Sequence, residues 1–108
     1  TKDGTCMRDF IHVSDLAKAH LYALNIKNEG ISVYNIGTGI GTTVLQLIQT
    51  FEKVNNVKIP YVFKARRNGD RSIAYCNNDK MKDAFNWVPT KTIEDICKDA
   101  WNFMLCPI

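Results

Sequence analysis

The sequence lacks the features that mark a membrane protein or a strongly basic nucleic-acid-binding protein. No apolar run in its 108 residues approaches the roughly 20 residues of a membrane span. The net charge of +3, from 14 basic and 11 acidic residues, is too small to indicate either kind of binding by itself. A signal-peptide pattern is also absent, and the chain opens on Thr1 rather than on methionine. We therefore expect residues 1–108 to be one domain, or part of one, from a longer protein.

The cysteines are few and scattered. They are Cys6, Cys76, Cys97 and Cys106. No two of them form a Cys-x-x-Cys pair and no histidine stands at a zinc-ligand spacing from them, so a metal site is not indicated. Cys97 falls on the apolar face of a predicted helix, as a reduced core thiol would. This pattern favours a reducing, cytoplasmic compartment over a disulfide framework.

Apolar residues at helical spacing predict four helices, each after a residue suited to an N-cap. The predicted N-caps are Ser14, Thr42 or Thr43, Asn78 and Thr92. The first helix should stop by Gly30, after Lys27 has placed a cation near its C-terminus. The second should end at Asn55-Asn56, and Trp87-Val88-Pro89 should break the third. In the last helix, the residues expected to face inward are Ile93, Ile96, Cys97, Ala100 and Met104.

Runs of β-branched and aromatic residues predict short strands between these helices. The runs are residues 8–13, 31–36 and 61–64, with a further short one at 73–75. The resulting order, β-α-β-α-β-α-α, argues for a mixed α/β unit.

The turn Gly37-Thr38-Gly39-Ile40-Gly41 follows a predicted strand and precedes a helix, as a dinucleotide-binding turn would. Its spacing is GxGxG rather than GxGxxG, and no strand ending in an acidic residue follows about 20 residues later. A glycine turn that lets a helix pack close to its strand is the better interpretation, although the helix N-terminus could still face a ligand.

The histidines and tryptophans offer no recognisable catalytic pattern. His12 and His20 have no Ser or Cys nucleophile at a known spacing, and Trp87 and Trp101 fall in or beside helical segments. We expect structural roles for all four.

The segment 66–70, Arg-Arg-Asn-Gly-Asp, is the strongest candidate for ligand binding. Two guanidiniums precede a tight turn and a carboxylate. Arginine suits a diphosphate because its planar fork donates paired hydrogen bonds to phosphate oxygens and keeps its charge. Gly69 allows a positive φ, so Asp70 can fold back toward the same ligand and accept hydrogen bonds from sugar hydroxyls. The alternative interpretation is a solvated basic turn.

Arg8 has two possible roles. It could form a simple ion pair with Asp9 or with Asp15, which also lies in the first turn of a predicted helix, where a negative charge is favourable. Together with Arg67, it would instead supply a second guanidinium for one diphosphate.

Several motifs lie along nearly the whole chain. They are Asp3-Gly4-Thr5, Arg8-Asp9-Phe10-Ile11-His12-Val13-x-Asp15-Leu16-Ala17, Tyr34-Asn35-Ile36-Gly37-Thr38-Gly39-x-Gly41-Thr42-x-Val44-Leu45, Arg66-Arg67-x-Gly69-Asp70, Trp87-x-Pro89 and Asp99-x-Trp101. Their combination resembles the C-terminal portion of the UDP-glucose 4-epimerases, extended members of the short-chain dehydrogenase/reductase superfamily. The first long stretch alone is less specific, since sugar-nucleotide dehydratases and related epimerases share versions of it.

This resemblance implies the small mixed α/β substrate-binding part of a Rossmann-type enzyme whose NAD-binding domain lies outside these residues. In the family, that domain also carries a Ser, Tyr and Lys catalytic set. None of the tyrosines here is followed four residues later by lysine, so no Tyr-x-x-x-Lys pair is present. The resemblance therefore implies a cytoplasmic, homodimeric isomerase of galactose metabolism that uses NAD, and a catalytically silent fragment.

The resemblance also assigns substrate-binding residues. Arg67 and Arg8 match arginines that hold the diphosphate of UDP-glucose or UDP-galactose. Asp70 matches an acidic residue that contacts the nucleotide sugar, and Asn68 with Gly69 shapes that turn. Val44 matches an apolar residue near the uridine. No catalytic, cofactor-binding or metal-binding residue is expected in this chain.

Four positions depart from the family pattern. Phe10 stands where some members have a tyrosine whose hydroxyl reaches the phosphate. Asn68 replaces a common glutamate, and Arg71 adds a charge directly after Asp70. Ala74 occupies a position that is larger in some relatives. Phe10 and Ala74 are therefore weaker site candidates, and the departures affect fine contacts and sugar selectivity rather than the diphosphate clamp.

In the family mechanism, a tyrosine takes the proton from the sugar 4-hydroxyl while NAD takes hydride from C4, and after rotation of the keto sugar the hydride returns to the opposite face. Binding energy is then best concentrated on the non-reacting UDP, which leaves the hexose free to turn. Two alternatives remain open. One is another extended short-chain sugar-nucleotide enzyme, such as a UDP-hexuronate epimerase or a dehydratase, and the other is a non-catalytic basic module for nucleic acid.

Overall fold

The computed structural model describes residues 1–27 and 29–106. Its elements in chain order are β1 (Met7–Arg8), α1 (Val13–Ala23), β2 (Thr42–Thr43), α2 (Val44–Asn55), β3 (Ile73–Ala74), α3 (Asp79–Phe85) and α4 (Ile93–Leu105). The predicted mixed α/β class is confirmed.

The three short strands form one sheet in the order β2-β1-β3. The central strand β1 runs antiparallel to β2 and parallel to β3. Its Arg8 is in register with Thr42 on one side and with Ala74 on the other. This small sheet therefore brings the start of the chain next to the start of α2 and to the segment that follows the arginine turn.

The strands predicted at 31–36 and 61–64 are wrong, because neither segment pairs with a strand among the described residues. Residues 61–64 are all exposed, and Ile31 is 96% exposed. A β-branched sequence forms a strand only when a neighbouring strand receives it, and the described residues supply none for either segment. Tyr34 and Ile36 pack against the core without a strand partner among those residues. The run at 8–13 contributes only its first residue to β1, while the short run at 73–75 contains β3.

The first helix begins and ends earlier than the sequence predicts. His12, not Ser14, is the N-cap, because its Nδ1 accepts a hydrogen bond from the Ser14 backbone N–H at 3.0 Å. The helix ends at Ala23, so Lys27 lies beyond its last turn. The usual N-cap acceptor is a hydroxyl, amide or carboxylate oxygen, so the sequence favoured Ser14. Here a histidine ring nitrogen takes that place.

The other helix boundaries agree better with the sequence. Thr43 and Thr92 each form a reciprocal capping box, with Gln46 and with Asp95 respectively. Asn56 ends α2 in the left-handed conformation, with φ of 51°. The third helix follows Asn78 as predicted, although the Asn78 side chain makes no cap hydrogen bond and instead donates to Gly37 O. It ends at Phe85, before Trp87-Val88-Pro89.

The core lies between α1 and α3, where Ala19, Met81 and Trp87 are buried together. The indole Nε1 of Trp87 donates to Asp15 O at 3.1 Å, which satisfies its only polar atom. Helices α2 and α4 form a second contact, in which Phe51 and Trp101 meet edge to face with centroids 5.6 Å apart. The predicted packing roles of both tryptophans are confirmed.

The buried side of α4 is narrower than predicted. Cys97 is 1% exposed, but Met104 is 75% exposed and Ala100 is also exposed. The apolar residues of α4 continue at helical spacing beyond the point where other described residues cover them, so the side chains of its last turn are exposed.

Candidate functional site

The arginine turn folds back on itself as its sequence predicts. Gly69 has a φ of +79°, and the Asp70 backbone N–H donates to Arg67 O at 3.2 Å. The Arg66 guanidinium donates twice to Asp70 O, from Nη2 at 2.6 Å and from Nε at 3.2 Å. These bonds close the segment 66–70 into a compact turn and fix the backbone of Asp70.

The Asp70 carboxylate lies between two arginines from distant parts of the sequence. Arg8 Nη2 donates to Asp70 Oδ1 at 2.8 Å, and Arg67 Nη2 donates to Asp70 Oδ2 at 3.1 Å. The partner of Arg8 is therefore Asp70, and the ion pair with Asp9 or Asp15 considered from the sequence is wrong. The two guanidiniums come together on one carboxylate, and Cys6 Sγ lies 3.7 Å from its Oδ2.

The two arginines favour the ionised form of Asp70. A hydrogen bond from Arg67, together with the positive charges of Arg67 and Arg8, lowers the pKa of Asp70 below its ordinary value, against an opposing desolvation. A carboxylate between two guanidiniums offsets one of their two positive charges and so allows them to lie close together. We name Arg8, Arg67 and Asp70 the arginine clamp.

The arginine clamp borders two adjoining concavities. One, of about 470 Å³, is lined by both arginines and by Phe10, Val44, Val62 and Phe63. The other, of about 550 Å³, is lined by Arg66, Arg67, Asp70 and Ser72. Cys6 and Lys64 line both. The first concavity combines cationic and apolar walls, and the second is more polar.

The structure thus brings together most of the site residues predicted from the sequence. Arg8, Phe10, Val44 and Arg67 line one concavity, and Asp70 lines the other. Residues 68–69 shape the turn but are not among the side chains that line these two concavities, and neither is Ala74, which instead pairs with Arg8 in the sheet.

Sequence reasoning missed the apolar wall formed by Val62 and Phe63. Both were interpreted as strand residues, yet they are 75% and 61% exposed beside the clamp. An apolar run directly preceding the arginine turn was the available signal. Exposed apolar side chains that line a concavity next to charged groups are typical of a ligand site.

Asp9 holds the glycine turn, residues 37–41, in place through hydrogen bonds. Its carboxylate accepts hydrogen bonds from Thr38 N at 2.9 Å, Thr38 Oγ1 at 2.7 Å and Gly39 N at 2.9 Å. Burial would raise the pKa of Asp9, but these bonds outweigh it and the pKa is lowered. A Cβ at Gly37 would collide with Asp9 and with Cys76 Sγ, so close approach explains this glycine. The N–H donors of the turn therefore serve the fold, although the turn packs against Asp9 and Cys76 rather than bringing a helix close to a preceding strand.

A larger groove of about 620 Å³ lies away from the clamp, between the start of α1 and helix α4. Its walls are mainly apolar, including Val13 and Phe103, and its polar groups are His12 and Asp99. His12 Nε2 lies 2.7 Å from Asp99 Oδ2, so the ring links α1 to α4, in keeping with the structural role predicted for it. With no lysine or arginine among its lining residues, this groove is poorly suited to a phosphate ligand.

The described residues contain no candidate metal-binding group and no membrane-spanning helix, and three of their cysteines are free. Within 1–27 and 29–106, no group of three or more His, Cys, Asp or Glu side chains is placed to hold a metal ion. The helices in those ranges are all too short or too polar to cross a membrane. Cys6, Cys76 and Cys97 carry free thiols.

Comparison with known proteins gives independent evidence. Residues 1–37 match the NAD dependent epimerase/dehydratase family. UDP-glucose 4-epimerase 2 of Arabidopsis thaliana is 44% identical over 106 residues, which cover 95% of this chain and 30% of the relative. The UDP-glucose 4-epimerase of Pasteurella multocida is 44% identical over 105 residues, which cover 95% of this chain and 31% of the relative.

The same likeness is found among solved structures. The crystal structure of UDP-glucose 4-epimerase from Bifidobacterium longum in complex with NAD+ and UDP matches with a TM-score of 0.91 and 42% identity, covering 97% of this chain and 32% of that one. The chain therefore spans about a third of the length of the relatives it matches. Over nearly all of its own length, it resembles the C-terminal portion of the UDP-glucose 4-epimerases.

Proposed function

We propose that this chain binds the UDP moiety of UDP-glucose and UDP-galactose in an NAD-dependent UDP-glucose 4-epimerase. The observation that carries the proposal is the meeting of Arg8 and Arg67 on one carboxylate, at the edge of a concavity with apolar walls. The Bifidobacterium longum relative, which contains UDP, supports the same assignment by its similarity.

The arginine clamp suits a diphosphate. A guanidinium carries five N–H donors, and Arg8 uses two of its groups, Nη1 and Nη2, for Met7 O and Asp70. Arg67 uses Nε and Nη2 for Asp70. Each arginine therefore retains donors that phosphate oxygens can accept from, while Asp70 keeps both arginines in place.

The apolar wall suits the base. Val44, Val62 and Phe63 line the concavity that also contains Arg8 and Arg67. A nucleoside diphosphate presents a flat base on one side and concentrated negative charge on the other, so it matches both halves of this surface. Binding through the UDP would leave the hexose without tight contacts, and a sugar that must turn over during epimerisation requires that freedom.

The glycine turn of this chain does not fit the pyrophosphate of NAD. The Thr38 and Gly39 N–H groups of the glycine turn donate to Asp9, so the donors that a dinucleotide pyrophosphate would need are already used. We therefore assign NAD, the hydride carrier of the proposed reaction, to residues outside this chain. The same proposal makes the whole protein a cytoplasmic homodimer that exchanges UDP-glucose and UDP-galactose.

The direct test is calorimetric titration of the 108-residue chain with UDP. We expect saturable binding that is much weaker for uridine, which lacks the diphosphate. The Arg67→Ala variant should lose about tenfold to a hundredfold in affinity, because a charge-assisted hydrogen bond contributes about 1.5–3 kcal/mol. Lys98→Ala, an exposed cation on α4, is the matched control and should bind UDP normally. Equal UDP affinity in the Arg67→Ala variant and the parent chain would refute the proposal.

A second test concerns catalysis and the sugar. With NAD supplied, the 108-residue chain should not convert UDP-galactose to UDP-glucose, and measurable conversion would contradict the assignment of catalysis to other residues. Whole-protein assays with UDP-galactose and UDP-glucuronate separate the epimerase from a hexuronate enzyme. Turnover of UDP-glucuronate alone would favour the latter.

A further inference from the structure

We propose that Arg66 is a positioning residue of the arginine clamp, acting on the ligand only through Asp70. The inference rests on the proposed function, in which Arg8 and Arg67 hold the diphosphate of UDP. It adds a residue outside the clamp, whose two side-chain hydrogen bonds both go to the backbone carbonyl of Asp70.

The turn holds the backbone of Asp70 on both sides. Arg66 Nη2 and Nε grip Asp70 O at 2.6 Å and 3.2 Å, four residues along the chain. From the other side, the Asp70 N–H donates to Arg67 O. Both polar groups of the Asp70 backbone are therefore held within the turn, and Gly69 supplies the positive φ that this closure requires.

Asp70, once its backbone is fixed, joins the two clamp arginines. Its carboxylate reaches Arg8, 62 residues earlier in the sequence, and Arg67 in the same turn. Two guanidiniums repel each other, so their approach depends on a negative charge that stays between them. If the Asp70 backbone is released, its carboxylate no longer has a defined position and both arginines lose their common partner. A fixed ligand-binding group needs such a supporting contact.

The neighbouring Arg71 provides a matched control. Arg71 carries the same charge in the same segment and is exposed, yet among the described residues its side chain shows no hydrogen bond or ion pair. A general electrostatic attraction for UDP would depend equally on Arg66 and Arg71. A positioning role depends on Arg66 alone.

The experiment measures UDP affinity by calorimetry for Arg66→Gln, Arg71→Gln and Arg66→Lys, with far-UV circular dichroism to compare helix content. We expect Arg66→Gln to weaken UDP binding about tenfold and Arg71→Gln by less than about threefold. Arg66→Lys keeps the charge but not the planar fork, so its affinity should lie closer to that of Arg66→Gln than to that of the parent chain. Equal losses in Arg66→Gln and Arg71→Gln, or full affinity in Arg66→Lys, would overturn the proposal.

A double variant separates positioning from direct contact with the ligand. If Arg66 acts through the clamp, Arg66→Gln combined with Arg67→Ala should lose clearly less than the product of the two single losses. Losses that multiply fully would mean an independent contact and would also overturn the proposal. The two failures are distinguishable. Unchanged UDP affinity in Arg67→Ala refutes the proposed function together with the inference that rests on it, whereas weakened binding in Arg67→Ala with equal losses in Arg66→Gln and Arg71→Gln refutes the inference alone.

Discussion

Two aspartates, Asp15 and Asp70, each tie together distant segments, and their partners differ in kind. Asp15 is 1% exposed and accepts from neutral donors, namely Thr90 N and Oγ1 and Lys91 N at 2.9–3.1 Å. Asp70 lies at a concavity and accepts from two guanidiniums.

The difference separates a carboxylate that holds the fold together from one that we propose supports ligand binding. The donors around Asp15 are fully occupied by it, so that site can hold α1 against the loop before α4 but offers nothing to a ligand. The arginines around Asp70 keep further donors, and they face a space that a nucleotide can enter. Changes at Asp15 should therefore affect stability, whereas changes at the clamp should affect binding.

The largest expected effect is that of Asp15→Asn. The amide places N–H donors against backbone N–H groups and leaves buried donors unsatisfied, which should lower the free energy of unfolding by about 3 kcal/mol. Urea denaturation measures it, with Asp83→Asn on the exposed side of α3 as the control. If both variants unfold at the same urea concentration, Asp15 is not a structural tie.

The next largest effect should appear at the arginine clamp, where a substitution should weaken binding but leave stability almost unchanged. Arg8→Ala, like Arg67→Ala, should weaken UDP binding about tenfold to a hundredfold. Its free energy of unfolding should change by less than about 1 kcal/mol, since partly exposed ion pairs contribute little. Calorimetry and denaturation of the same sample give both values. A large loss of stability without a loss of UDP affinity would make Arg8 a structural residue and break the contrast.

Lowering the pH should test the structural role of Asp15 in a second way. Burial would raise the pKa of Asp15, but the hydrogen bonds from Lys91 and Thr90 prevail and lower it below the ordinary value of 3.8. A lowered pKa in the folded state means that the unfolded chain binds the proton more readily, so the stability is present above pH 3.8 and is lost as the pH falls toward the folded pKa. Denaturation midpoints measured from pH 6 down to about pH 2 should fall less steeply in Asp15→Asn than in the parent chain.

The smallest expected effect concerns the base. Val44→Ala removes apolar contact from the concavity wall and should weaken UDP and uridine binding alike, by about twofold to fivefold. Inorganic pyrophosphate has no base, so its affinity should be unchanged. Weakened pyrophosphate binding in this variant would mean that Val44 supports the clamp rather than the uridine.

Local signals predicted a large part of the fold. Thr92 was recognisable as a cap because a capping box needs only residues three positions apart, and Thr43 was one of the two threonines predicted to cap the second helix. Gly69 was recognisable because a tight turn before Asp70 needs a positive φ. The predictions that failed depended on distant partners. The strand at 31–36 has no strand to pair with in the described structure, and Met104 has no surface to cover it.

The amino-acid sequence by itself determined which residues are the candidates for binding a diphosphate, since the arginines at 8 and 67 and the carboxylate at 70 have suitable chemistry wherever they lie. Only the tertiary structure decided that Arg8 pairs with Asp70 rather than with Asp9 or Asp15, and that Phe63 joins the concavity. The physical reason is that pairing across 62 residues depends on the register of β1 with β3, which no local pattern of side chains encodes.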